Sequence, residues 1–79
     1  MLFEKPSLRT KVSFDVGIYE LGGHSIYLGK DEIDMDGREP VEDVASVLDQ
    51  FVSMIVARVN SHRSLERLAS RASVPVINA

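Results

Sequence analysis

Residues 4 to 14, EKPSLRTKVSF, place a serine, an arginine and a threonine between a proline and an amphipathic run. Ser7 and Thr10 offer hydroxyl donors, while Arg9 offers a planar guanidinium that meets a phosphate through two parallel hydrogen bonds. If a strand ends at Pro6 and a helix begins near Leu8, the first backbone N–H groups of that helix have no intrahelical partners. They then point, together with the positive end of the helix dipole, at whatever sits beside them. The chemistry that fits this pattern is anion binding. One arginine at contact distance from a unit negative charge gains about 4 kcal/mol at a surface-like dielectric, before desolvation is subtracted. The plainer alternative is a helix cap, with Ser7 bonded to its own helix and Arg9 solvated. Local physics leaves both open.

Other reactive side chains carry less. His24 follows a glycine pair and His62 lies near a helix start, and both read as surface residues, without a second histidine, a cysteine or a carboxylate at ligand spacing. Glu32, Asp34, Asp36, Gly37 and Asp43 approximate a calcium loop, in which oxygens surround the ion and glycine makes the sharp turn. The first and last ligands are swapped in type, however, and a strand-like segment precedes the loop where a helix should. A solvated acidic loop is the expectation, with no metal. Met35 and Met54 read as packing residues. The phosphate-loop and dinucleotide glycine motifs are both missing, and Ser7 has no histidine or aspartate arranged as a base, so we expect neither a nucleotide cofactor nor a hydrolase.

Short apolar runs alternate with amphipathic segments, the pattern of βαβ units around a parallel sheet. MLFE is a first strand. Leu8 to Leu21 fits a helix, with Val12, Val16 and Tyr19 at helical spacing and Gly22–Gly23 as its stop. SIYLG reads as a second strand, followed by a polar loop, and Pro40 suits the first position of a helix whose stripe is Val41, Val44, Ala45 and Leu48. Glu42 and Asp43 complement that helix's positive end. VSMIVARV is the most apolar run and reads as a central strand buried on both faces. Ser61 or Ser64 caps a third helix carrying Leu65, Leu68, Ala69 and Ala72, and VPVIN is the last strand. The fold class is therefore α/β, a partial doubly wound parallel sheet in the order β-α-β-α-β-α-β. Right-handed crossovers put helices on both of its faces.

With 79 residues, the chain makes at most one domain. A domain of this size buries only about 60 to 65% of the surface its unfolded form exposes, so stability should be marginal. The apolar fraction of 44% and charged fraction of 27% are ordinary for a globular protein. A net charge of −3 gives no electrostatic reason to expect nucleic acid. Cysteine is absent, which excludes disulfides and thiolate metal sites. The longest apolar run, MIVA, is far short of a membrane span, and MLFEKP lacks the layout of a signal peptide, so a cytoplasmic protein is expected. The sheet begins inside an apolar strand and ends without a covering helix, which we read as truncation at both ends.

FEKPSLRTKVSFDVGIYELGGHSIYL resembles the phosphate-binding segment of the carbamoyltransferases, whose mark is S-x-R-T-[RK] followed by S-F-[DE], and resembles the ornithine carbamoyltransferases most closely. GREPVEDVASVLDQF is similar to that family's second helix, and ARVNSHRSLERLASRASVPVINA to its third helix and the strand after it. The resemblance spans residues 1–79 and implies a partial carbamoyl-phosphate-binding domain. It implies that Ser7, Leu8, Arg9 and Thr10 contact the phosphate of carbamoyl phosphate, with Leu8 departing from the commoner threonine and contributing only its backbone N–H. Arg58 matches a second arginine that reaches the phosphate and the carbamoyl oxygen, so Arg9 and Arg58 are the implied catalytic residues. Ligands of open α/β sheets sit beyond the carboxyl ends of the strands, where both segments fall.

The same resemblance puts Asp34 where the family usually has glutamine or histidine, in a loop that reaches a neighbouring subunit's site, and a carboxylate there would repel a phosphate. Gly37 and Arg38 stand near where the aspartate-specific relatives have a lysine, which tilts the choice toward ornithine. The implied reaction carries the carbamoyl group to ornithine, giving citrulline and phosphate, in a homo-oligomer, a trimer. The family continues past this point to an H-P-x-Q motif and an ornithine-binding domain. We expect both to be absent from the chain, and the fragment to be inactive alone. A non-catalytic α/β fragment with a vestigial anion site, self-associating through exposed sheet edges, is the rival expectation.

Overall fold

The computed structural model describes residues 1–33 and 39–79. Along the chain the elements are β1 (Leu2–Phe3), α1 (Leu8–Glu20), α2 (Val41–Leu48), β2 (Ile55–Arg58), α3 (His62–Arg71) and β3 (Val76–Asn78). The three strands form one parallel sheet in the order β1-β2-β3, so β2 is central. Leu2 stands opposite Ala57 and Phe3 opposite Arg58. On the other side of β2, Ile55, Val56 and Ala57 face Val76, Ile77 and Asn78.

Alternation along the strands splits the buried residues between two faces. Leu2, Ile55 and Ala57 turn toward α2 and α3 and join Val41, Val44, Ala45, Leu65 and Leu68 in one core. Phe3 and Val56, both buried, belong to the opposite face. The α2 stripe lies where its spacing requires, Val41, Val44 and Ala45 being buried and Leu48 packed at the margin. In α3 the stripe is shifted: Leu65 and Leu68 are buried and Ala72 packs on the core, but Ser64 is inside and Ala69 is exposed. Ala69 is thus corrected from core to surface. Met54 is corrected likewise, at 44% exposure.

Helix ends follow local chemistry. Gly22 adopts φ of +88°, its N–H reaches the Tyr19 carbonyl at 3.0 Å, and the Gly23 N–H reaches that of Ile18 at 2.8 Å. This pair of bonds is the Schellman closure that needs glycine in the left-handed region. A β-carbon on Gly23 would also meet the Ile18 side chain at 2.8 Å. Pro40 is the N-cap of α2 and not its first helical residue, one position earlier than expected. Ser61, and not Ser64, caps α3, its hydroxyl accepting the Ser64 N–H at 3.3 Å.

The largest departure concerns SIYLG. In place of a strand there is one parallel bridge, Leu28 beside Leu2, with the Leu28 N–H on the Met1 carbonyl at 2.7 Å and the Phe3 N–H on the Leu28 carbonyl at 2.9 Å. β1 has only two residues, so a partner on its outer edge finds too short a ladder to continue. The direction is still that of a doubly wound sheet, the chain stepping to one side of β1 and then back across it to β2. Among the described residues, no helix is long and apolar enough to cross a membrane.

Candidate anion site at the carboxyl edge of the sheet

β1 ends at Phe3, and within five residues the chain has become helix. Pro6 blocks any continuation of the ladder, since it has no N–H to donate. Ser7 then takes the N-cap position with extended backbone (φ −156°, ψ 95°), and its carbonyl accepts the Lys11 N–H at 3.0 Å. Its hydroxyl makes no capping bond. The cap reading of Ser7 therefore fails on the side chain, and that hydroxyl is available to something outside the helix. The first turn carries no acidic residue that would neutralise the dipole.

Leu8, Arg9 and Thr10 form that turn. Leu8 is 77% exposed, as suits a residue whose contribution would come from its backbone. The Arg9 side chain is exposed, and the carbonyls of Arg9 and Thr10 accept the Ser13 hydroxyl at 2.7 and 3.2 Å. Arg58 is the last residue of β2 and half-buried. Among the described residues neither Arg9 nor Arg58 is paired with a carboxylate. A basic residue that terminates a central strand and one in a helix start beside the next strand thus share the carboxyl edge of the sheet. Asp34 lies outside the described residues, as do Asp36, Gly37 and Met35.

Two hydrogen bonds hold this edge together. The Glu4 N–H donates to the Arg58 carbonyl at 2.8 Å, and the Asn60 N–H donates to Glu4 Oε1 at 2.9 Å. Neither Glu4 nor Asn60 is marked by its sequence neighbourhood, because a glutamate shortly before a proline has no local pattern of its own. Nearby, Lys11 Nζ stands 4.0 Å from the centre of the Tyr27 ring, a cation–π distance, and Tyr27 meets Phe3 edge-on at 5.5 Å between centroids. These contacts link the start of α1 to the sheet face opposite α2 and α3.

A cleft of about 300 Å³ opens beside the helix start, between Glu4 and Pro6 on one wall and Tyr27, Gly29 and Glu32 on the other. None of Ser7, Arg9, Thr10 or Arg58 lines it. Its rim carries Glu4, Asp31 and Glu32 against a single Lys30, so its charge opposes an anion. The candidate anion-binding groups are those of the adjoining helix start. His24 is exposed, and His62 is exposed with Nε2 3.9 Å from Glu66. Among the described residues no cluster of histidine and carboxylate side chains could hold a metal.

Parallel strands, a crossover helix whose first turn is free of acid, and arginine on two segments at the carboxyl edge define an open α/β module with a candidate anion site. The family described as "Aspartate/ornithine carbamoyltransferase, carbamoyl-P binding domain" matches residues 1–79, and the chain belongs to that family. It is 52% identical over its whole length to an ornithine carbamoyltransferase of Methanocaldococcus jannaschii, covering 26% of that protein. A chloroplastic ornithine carbamoyltransferase of Pisum sativum is 55% identical over 78 residues, which are 99% of this chain and 21% of the pea protein. The ornithine carbamoyltransferase structure from Pyrococcus furiosus superposes with a TM-score of 0.96 at 47% identity, over 99% of this chain and 25% of that one. The chain spans about a quarter of the length of the first of these relatives and of the solved structure.

Proposed function

We infer that residues 1–79 form the carbamoyl-phosphate-binding part of an ornithine carbamoyltransferase. The observation that carries this is the uncommitted Ser7 hydroxyl at an acid-free helix start, next to the strand register that sets Phe3 against Arg58. In the reaction, the neutral side-chain amine of ornithine attacks the carbamoyl carbon, the C–O bond to phosphate breaks, and the proton lost by the amine ends on the departing phosphate, giving citrulline and hydrogen phosphate. Negative charge grows on the carbamoyl oxygen and on the departing phosphate. Preorganised donors aimed at those oxygens lower the barrier without themselves moving. Arg9 and Arg58 are the catalytic residues on this reading. Ser7, Thr10 and the Leu8 N–H complete the phosphate cradle, and neither arginine acts as a base.

By the resemblance, the segment holding Asp34 would reach a neighbouring subunit of a trimeric parent whose second domain binds ornithine. A place in arginine metabolism follows from the product, citrulline. We assign the protein to the cytoplasm, although the pea relative is named for the chloroplast.

Titration of inorganic phosphate and carbamoyl phosphate into the chain tests the reading. Saturable binding is expected, and Arg9→Ala should weaken it roughly tenfold or more, the scale of one charge-assisted hydrogen bond. Wild-type protein that binds neither ligand would overturn it. A second reading draws on the exposure of Val12, Val16 and Tyr19 along α1, at 48%, 49% and 78%. There the fragment is non-catalytic, its anion site vestigial, and it self-associates; concentration-dependent mass without phosphate binding would favour it.

A further inference from the structure

In a parallel ladder, a residue facing its partner strand donates its N–H to the residue before its opposite number and offers its own carbonyl to the residue after. Glu4 is opposite Val59 in that scheme. The first bond is made in the ordinary way, from the Glu4 N–H to the Arg58 carbonyl at 2.8 Å. The second is not, for the Asn60 N–H goes to the Glu4 side-chain Oε1 at 2.9 Å. A carboxylate oxygen thus occupies the place in the ladder where a main-chain carbonyl belongs.

The substitution has a geometric consequence. A main chain that kept the regular bond would remain in the sheet through Glu4 and Lys5, whereas this one has to leave at once to reach Ser7 as an extended N-cap. With the side chain completing the last rung, the backbone is released from the sheet while β2 stays tied on both sides of Val59. The bracketed peptide groups are those of Arg58 and Asn60, and Ser61, next in line, caps α3.

We propose that Glu4 is the positioning residue of the anion site, its side chain standing in for its own carbonyl so that the helix start carrying Ser7, Arg9 and Thr10 and the strand end carrying Arg58 are fixed to each other. This rests on the anion-binding role of those residues given above. What the position requires is a hydrogen-bond acceptor at the reach of a glutamate. Negative charge is not required, and beside an anion it is unfavourable.

Glu4→Gln keeps an acceptor oxygen at the same reach, and Glu4→Ala removes it. Two readouts in the 79-residue chain separate the outcomes: amide exchange at Asn60 with the amide shifts of residues 8–11, taken without ligand, and the affinity for inorganic phosphate. We expect Glu4→Ala to lose Asn60 protection, to shift the amides of residues 8–11 and to weaken phosphate at least tenfold, with the amides of the α2–α3 core unmoved. Glu4→Gln should restore protection and bind phosphate as tightly as wild type or more tightly. Equal weakening in both variants would overturn the proposal in favour of a role for charge. Unchanged Asn60 protection or unchanged phosphate affinity in Glu4→Ala would overturn it outright. A wild-type chain without phosphate affinity strikes the functional reading, while the ligand-free amide signals still decide whether Glu4 fixes the two segments.

Discussion

α1 and the α2–α3 layer are built on opposite terms. α2 and α3 pack on one sheet face with Val41, Ala45 and Leu68 wholly excluded from water, a serine cap on α3, and a two-bond ion pair from Arg67 to Glu42 at 2.6 and 2.8 Å. α1 has no buried residue, no side-chain cap and no ion pair among the described residues. Its side-chain ties among the described residues include Lys11 over Tyr27 and the Ser25 hydroxyl on Asp15. Burial therefore fixes β2, and with it Arg58, while the helix bearing Ser7 and Arg9 is held chiefly where it leaves the sheet. The two halves of the proposed site inherit their precision from different physics: close packing for Arg58, a few polar bonds for Arg9.

The sharpest way to break this contrast is to remove side-chain volume from each half. Leu68 has no exposed surface, and Leu68→Ala leaves a cavity that should cost about 2 to 5 kcal/mol in a chemical denaturation experiment. Val16 is 49% exposed, so Val16→Ala should move the midpoint by no more than about 0.5 kcal/mol. Comparable losses in the two variants would mean that α1 is packed in solution and that the contrast is wrong.

Two serines at helix starts make the next comparison. Ser61→Ala removes a capping acceptor and should cost about 1 kcal/mol. Ser7 holds the same position on α1 without a capping bond, so Ser7→Ala should leave ligand-free stability within about 0.5 kcal/mol while weakening phosphate. Thermal unfolding with and without phosphate measures both. A stability loss at Ser7 equal to that at Ser61 would return it to the ordinary cap.

Legibility in the sequence divides along the same line. The α2 stripe, the central strand and the Gly22–Gly23 stop could be read because each depends on residues near one another in sequence. Ser64 and Ala69 were exchanged between core and surface because the angle at which α3 meets the sheet is set by α2 and β2, and periodicity is blind to that angle. SIYLG has strand-forming residues, but strand formation needs a partner, and two-residue β1 offers one rung. For the site, the motif SLRT and the position of Arg58 were legible as residue types at a strand end and a helix start. The Glu4 bond to Asn60 was not, since it joins positions 56 apart with no shared pattern.

Acid probes the polar part of the packed layer with the smallest of these effects. Arg67 bonds Glu42 through two nitrogens and holds its carboxyl down at about 2, below the usual 4.5. Asp49 is lowered as well, first by the backbone N–H of Ser73, which it accepts at 2.7 Å, and further by that of Val74. Both carboxyls are lower in the folded chain than in the unfolded one, so the unfolded chain binds protons first as pH falls. Their contribution is whole above about 4.5 and is lost as pH drops through the folded values, toward about 2 for Glu42. The Glu42 side chain is 45% exposed and that of Arg67 37%, so water and salt screen the pair and the change is modest. Unfolding temperatures between pH 6 and pH 3 should fall more steeply for wild type than for Glu42→Gln, and the difference should shrink in high salt. Amide exchange at Ser73 and Val74, corrected for intrinsic rates, should quicken once the pH is low enough for Asp49 to take up its proton, below the ordinary aspartate range. Identical slopes in wild type and Glu42→Gln would show that the Glu42–Arg67 pair adds nothing to the α2–α3 layer beyond its apolar contacts and its remaining polar bonds.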